Sequence, residues 1–389
     1  MTPPATPDQT AIRCVMMRGG TSKGLYFHEH DLPPTGADRD RIIKRVMGCP
    51  DILQIDGLGG SRPVTSKMAI IRRSQRADAD VDYTFGQVGI GQDGIGYVGN
   101  CGNISSGVGP FAVDEGLVEA VEPYTTVRIY NTNTDKVLVA RVPVSAGKAR
   151  VIGDCVIAGV PGSGAQIVMD YSETVGAVSG RLLPTGKVID HMQLAKGDSF
   201  DVTFCDVGNP CVFIAAKDLG LTGSELPESI SANEALMDTV AEIQSKAGQA
   251  FGLWPDWQQV SSPGFPLLVV IAPAENYADA NGIVHPSESM DLRARLVFVG
   301  RCHDSMAGTG AVCLAAASRI PGSLVHDMLP KPDHLPGSLR IGHPMGVMDV
   351  VVEVDPASQS PEIRFASLGF ARTARRLMDG VAYLPVDQP

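Results

Sequence analysis

The run Gly99-Asn100-Cys101-Gly102-Asn103-Ile104-Ser105-Ser106-Gly107 places a cysteine where a tight glycine turn feeds a helix. Backbone N–H groups at a helix start carry partial positive charge, so they favour a thiolate and also bind carboxylates. One turn can therefore hold an acid–base group and grip an anionic substrate. The competing reading is a small cysteine buried in a Gly-rich turn, since free Cys is among the most buried residue types. The run alone does not separate the two.

Two further segments carry chemistry. Arg18-Gly19-Gly20-Thr21-Ser22-Lys23-Gly24 follows a candidate strand and crowds side-chain donors onto one turn, a composition suited to carboxylates. It lacks the Gly-x4-Gly-Lys-Ser/Thr spacing of a P-loop. Thr65-Ser66-Lys67-Met68-Ala69-Ile70-Ile71 carries a lysine into an apolar strand. Desolvation or nearby helix N-termini turn such a lysine into a usable base near neutral pH, although a snorkelling lysine at a strand start is the commoner outcome. Gly89-Ile90-Gly91-Gln92-Asp93-Gly94 matches the dinucleotide fingerprint by letters. No opening helix or βαβ pattern surrounds it, so it is expected to be a hairpin loop and NAD is rejected. His303 and His343 lie in the informative strings Arg301-Cys302-His303-Asp304 and Gly342-His343-Pro344. Spacing alone does not distinguish structural from functional roles for them.

The elements that must position these groups are mostly short strands. Candidates are 12–17, 68–72, 81–87, 126–130, 137–142, 200–207, 212–215 and 267–272. Apolar stripes predict helices over 38–47, stopped by Gly48, and over 233–247, with Ser231 or Asn233 as N-cap. The segment 98–108 and the segment Ser305-Met306-Ala307-Gly308-Thr309-Gly310-Ala311-Val312-Cys313 both place small residues before a helix-compatible run. Each is followed by a Gly with Leu-Val close behind, which suggests an internal duplication with one Gly-rich turn and helix per half. Two facing halves would aim two positive helix ends into one cleft.

At 389 residues the chain exceeds the size at which one core keeps growing, so two domains are expected. These are 1–185 and 186–373, with 374–389 returning to the first. A net charge of −11 without Lys/Arg clusters argues against nucleic acid as a partner. No apolar stretch is long enough to span a bilayer, so no membrane role is expected. The polar start, 1–9, has no secretory signature and reads as a frayed cytosolic terminus. Eight scattered cysteines without a C-x-x-C pair make free thiols in the cytoplasm the expectation and a metal site unexpected.

Met17-Arg18-Gly19-Gly20-Thr21-Ser22-Lys23-Gly24, Gln54-Ile55-Asp56-Gly57, Thr65-Ser66-Lys67, Gly99-Asn100-Cys101-Gly102-Asn103 and Gly342-His343-Pro344 together resemble the PrpF-like isomerases of the diaminopimelate epimerase fold superfamily. The resemblance runs from about Ile12 to about Val386. It implies an α+β fold of two pseudo-symmetric domains, each a mixed sheet wrapped around a central helix, with the site between them and no cofactor. Gly208-Asn209-Pro210 resembles the epimerases' Gly-Asn-Pro-His segment, with Cys211 in place of the histidine. Ala307 stands where epimerases carry a second catalytic cysteine before Gly-Thr-Gly, which argues against a symmetric two-thiol racemase.

The resemblance implies Lys67 and Cys101 as the acid–base pair, their order left open, for a 1,3-proton shift in a small unsaturated di- or tricarboxylate. 4-Oxalomesaconate and 3-methylitaconate are the expected types, and local wording does not rank them. Arg18, Thr21, Ser22, Lys23 and Ser66 are expected to hold carboxylates, with Asn209 closing from the other domain. Gly102, Asn103, Gly308, Thr309 and Gly310 are expected to supply backbone N–H groups. Cis–trans isomerisation of aconitate or 2-methylaconitate is the same-fold alternative, and a non-catalytic carboxylate-binding protein is a more distant one. A homodimer is left open.

Overall fold

β-Branched runs bounded by turns become strands throughout the chain, as their fit to a pleated, half-buried surface demands. The computed structural model describes residues 8–260, 264–330, 337–358 and 363–386. Most of the start expected to be frayed, residues 1–7, lies outside these. The first half opens with the hairpin β1 (Gln9–Gly19) and β2 (Ser22–His28), followed by α1 (Ala37–Met47). Strands β3 (Lys67–Arg73), β4 (Val81–Val88) and β5 (Ile95–Gly96) precede the helix α2 (Gly102–Asp114). Then come β6 (Tyr124–Asn131), β7 (Lys136–Ser145), β8 (Lys148–Ala149) and β9 (Ile167–Asp170).

The second half begins with β10 (Asp190–Gln193), β11 (Ser199–Val207) and β12 (Asn209–Ala215). Two helices, α3 (Pro227–Ser231) and α4 (Glu234–Ala250), lead to β13 (Leu267–Pro273). A small hairpin of β14 (Tyr277–Ala278) and β15 (Val284–His285) stands apart. β16 (Leu292–Phe298), β17 (Arg301–Cys302), α5 (Gly308–Ala317) and α6 (Leu324–Asp327) follow. The last strands are β18 (Ser338–His343), β19 (Gly346–Val354), β20 (Phe365–Arg372) and β21 (Ala374–Pro385).

Pairing exposes the duplication. In the first half the strands neighbour one another as β1-β2-β3-β4-β6-β7-β9, with β2–β3 and β4–β6 parallel. The second half repeats this as β11-β12-β13-β16-β18-β19-β20, with β12–β13 and β16–β18 parallel. The helices α2 and α5 occupy the same place in the two series. The halves join where β9 pairs antiparallel with β20. After β20 the chain crosses back, and β21 runs along the whole of β1. Val175 already bridges to Val207, so the forward crossing begins before residue 185.

The two central helices are apolar or small on every side and are buried on every side. Small residues allow each sheet to close around its helix, and one apolar core runs through both halves. The outer helices show the stripes read from sequence. Gly48 ends α1 in the left-handed conformation, and Asn233 caps α4 by accepting from the Leu236 N–H. The loop after β4 is a hairpin closed by the Gly89 N–H to the Gly94 carbonyl, as expected. No helix among the described residues is long and apolar enough to cross a membrane.

The C-terminal end of α2 is pinned by charge. Glu115 accepts from Arg13 of β1 at 3.1 Å, His28 of β2 at 2.9 Å and Arg376 of β21 at 2.5 Å. Burial pushes the Glu115 carboxyl up, but the hydrogen bonds from His28 and Arg376 and the charges of Arg376 and Arg13 outweigh it and bring it to about 2. A carboxyl lowered in the folded state adds stability that is complete above its unfolded value near 4.5 and is lost as pH falls towards 2. Glu115→Gln should therefore cost about 2 kcal/mol at pH 7 in urea denaturation, the size of a lost charge-assisted hydrogen bond. The gap to the native chain should narrow as the pH falls from 4.5 towards 2.

Candidate active site

The site begins where two helices start. Cys101 is the N-cap of α2, and its Sγ accepts from the Ile104 N–H at 3.5 Å. Ala307, which has no side chain able to cap, precedes α5. A Cβ on Gly102 would lie 3.0 Å from the Thr309 nitrogen, so glycine is needed for the two helix starts to approach this closely. First-turn N–H groups have no intrahelical acceptor. The first-turn residues Gly102, Asn103, Gly308 and Thr309 border one cavity of about 540 Å3, a volume typical of small-molecule sites. Both helix dipoles therefore make this cavity favourable to anions.

Lys67, the first residue of β3, enters the same cavity and is 3 % exposed. Its Nζ lies 5.3 Å from the centre of the Phe85 ring and 5.4 Å from that of Phe298, one ring from each half. Among the described residues no carboxylate pairs with it. Two aromatic faces thus take part of the role an acid would otherwise fill. His303 lines the cavity beside it. Burial and then the Lys67 charge push the His303 imidazole down to about 3. The hydrogen bond from the Ser305 N–H to Nδ1 at 3.0 Å leaves a neutral ring with its proton on Nε2.

Arg301 also borders the cavity and forms no ion pair among the described residues. The remaining wall is largely apolar, including Val88, Ile95, Trp254, Phe265 and Leu267. Among the described residues the one lining carboxylate, Asp93, is held by Lys44 at 2.7 Å.

Asparagine and threonine stitch the halves together. The Asn209 Oδ1 accepts from the Asn100 N–H at 2.8 Å, while its Nδ2 donates to the Asn100 carbonyl and the Thr309 hydroxyl, each at 2.7 Å. Gly99 turns the chain there with φ of +79°, and a Cβ on it would meet Asn209 Oδ1 at 2.7 Å. A related pair forms in the first half, where the Asn103 Nδ2 donates to Thr21 Oγ1 at 3.0 Å. Thr21 in turn bonds Ser305 of the second half at 3.1 Å.

Lys67, Cys101, Gly102, Asn103, Asn209, Gly308 and Thr309 are thus gathered around one cavity. The other residues read from sequence stand elsewhere. Arg18 donates to the carbonyls of Gly20 and Thr373 and braces the turn against the β20–β21 bend. Ser22 is buried in the hairpin and Lys23 is half-buried beside it, neither lining the cavity. Ser66 accepts from Gln54 and donates to the Val88 carbonyl, and Gly310 packs against Leu296. Cys211 is buried and its thiol points at the Asn209 carbonyl.

Arg301, His303, Phe85 and Phe298 complete the site and were not singled out as site residues from sequence. Arg301 and His303 had a readable signal, because both stand in the string Arg301-Cys302-His303-Asp304. Asn209→Ala removes three buried hydrogen bonds at once. It is expected to lower stability by about 2–3 kcal/mol in urea denaturation, at about 1 kcal/mol per bond.

Comparison with known proteins gives the family of the chain. A family model described as PrpF protein matches residues 9–385. The 3-methylitaconate isomerase of Eubacterium barkeri is 47% identical over 380 residues, covering 97% of this chain and 98% of that protein. The 4-oxalomesaconate tautomerase of Pseudomonas putida is 39% identical over 379 residues, covering 97% and 98%. A crystal structure of methylitaconate-delta-isomerase superposes with a TM-score of 0.78 at 46% identity, covering 97% of this chain and 96% of that one. With the family model spanning nearly the whole sequence and relatives aligned end to end, the chain belongs to the PrpF family.

Proposed function

We propose that this protein is an isomerase that moves a carbon–carbon double bond by 1,3-allylic proton transfer in a small unsaturated di- or tricarboxylate. The observation that carries the proposal is the placing of Lys67 and Cys101 on one cavity that also receives two helix N-termini. A carboxylate of the substrate sits against the N–H groups of Gly102, Asn103, Gly308 and Thr309, and a second faces Arg301. The hydrocarbon part of the acid lies among Phe85, Phe298 and Leu267.

One member of the Lys67–Cys101 pair removes a proton from the allylic carbon. The C–H electron pair moves into the conjugated system as a dienolate, whose charge spreads onto the carboxylate. The other member delivers a proton two atoms along, and the double bond shifts. Two different groups suit a proton that leaves one carbon and arrives at another. Preorganised backbone donors of this kind each contribute about 2.7–4 kcal/mol to stabilising such charge. Acid, base and charge stabilisation all come from the chain itself, so the step requires no cofactor. Eight free cysteines suit a reducing, cytoplasmic setting.

The apolar walls favour a substrate whose remainder is hydrocarbon, of the 3-methylitaconate type, over one with a third charged group. The higher identity to the 3-methylitaconate isomerase supports the same choice. Ultraviolet absorbance of the unsaturated acid follows the shift. Lys67→Met and Cys101→Ala are each expected to lower kcat by about 10²–10⁴-fold with the fold intact by circular dichroism, the range assigned to a lost general acid or base. Turnover at the native rate in both variants would overturn the assignment.

A further inference from the structure

A second cavity, of about 120 Å3, lies beside the first and shares none of its lining residues. Its deepest charged group is Arg372, 4 % exposed. The Arg372 Nε donates to Asn103 Oδ1 at 3.0 Å, one terminal nitrogen to the Ala371 carbonyl at 2.9 Å and the other to the Met348 sulfur at 3.0 Å. All three acceptors are neutral, and among the described residues no carboxylate pairs with this guanidinium. Burial pushes it down to about 10, still charged at neutral pH. Burying a charge is costly unless it is paired, so the site is short of one negative charge.

The other groups on the wall are donors too. Burial and the Arg372 charge hold His343 down at about 3, and its Nδ1 accepts from the Met345 N–H at 3.2 Å, which leaves Nε2–H free to donate. Thr21 and Ser305 border the same space, and their hydroxyls bond each other at 3.1 Å, which leaves one of the two protons to donate. Asp349 also lines it, but that side chain is exposed on β19 and stands opposite Arg340 of β18.

We propose that this second cavity binds a small carboxylate, held by the Arg372 guanidinium with the His343 Nε2–H and the one hydroxyl of the bonded Thr21–Ser305 pair that keeps its proton free. The carboxylate comes either from a free acid or from the far end of an acid in the neighbouring cavity. Because Arg372 also holds Asn103, a residue of the active cavity, occupancy here fixes the first turn of α2. The inference stands without the proposed reaction, since it rests on the charge balance of a different cavity.

Cys155 lines the second cavity and is only half-buried, while Cys101 belongs to the first. Alkylation by iodoacetamide, mapped peptide by peptide, therefore reads the two cavities separately. Acetate and malonate are expected to slow Cys155 alkylation several-fold in the native chain. That protection should vanish in Arg372→Gln. It should also vanish in Val156→Asp, which puts a fixed carboxylate at the mouth on a residue 72% exposed and so leaves the core intact. Under an unsaturated acid, protection of Cys155 and Cys101 at the same concentration identifies one molecule spanning both cavities. Protection of Cys155 at its own concentration identifies a separate carboxylate. Cys155 alkylation that neither acetate nor malonate slows, or protection that persists in Val156→Asp, overturns the proposal.

Discussion

Two helix N-termini pressed against one another are the constraint around which this structure is built. Each brings partial positive charge and unsatisfied N–H groups, so their approach is unfavourable until an anion lies between them. Gly102 permits the contact, since any side chain there would meet the backbone of Thr309. The pseudo-symmetric sheets exist to hold it: each wraps one fully buried helix, and β9–β20 and β1–β21 tie the two wrappings together. Asn209 and Thr21, each at the tip of a hairpin, cross from one half to the other beside the contact. An anionic substrate thus completes the electrostatics that the fold leaves open.

The same theme extends outward from the contact. The chain carries a net charge of −11, yet its interface is positive, with Lys67, Arg301 and Arg372 all lacking a carboxylate partner among the described residues. Two rings flank Lys67, one supplied by each half. Its environment therefore exists only when the halves meet, which links folding directly to the chemistry of the site. His303, neutral beside it, adds a hydrogen-bond donor without adding charge.

Much of this was legible in the sequence. β-Branched runs, Gly48 and Asn233 located strands and helices, because local sterics and capping settle those elements. The paired Gly-rich turns announced the duplication, which the matching strand orders then display. What composition does not carry is direction. Arg18 and Ser66 sit in donor-rich turns, yet Arg18 spends its donors on the carbonyls of Gly20 and Thr373 and Ser66 on the end of β4. The ring pair around Lys67 was hidden for another reason. Phe85 and Phe298 are far apart in sequence and meet only through the register that joins the halves. Arg301 and His303 were visible in one informative string, but nothing local says that both side chains turn towards a cavity.

The central claim is that Lys67 and Cys101 hand a proton along an allylic unit held between the two helix starts. Proton NMR in D2O with itaconate-, mesaconate- and aconitate-type acids tests it directly. The account predicts deuterium on one carbon of the allyl unit together with a double bond moved to a new position. Cis–trans change without migration would contradict the double-bond shift, and absence of proton exchange in every acid would contradict catalysis at this site.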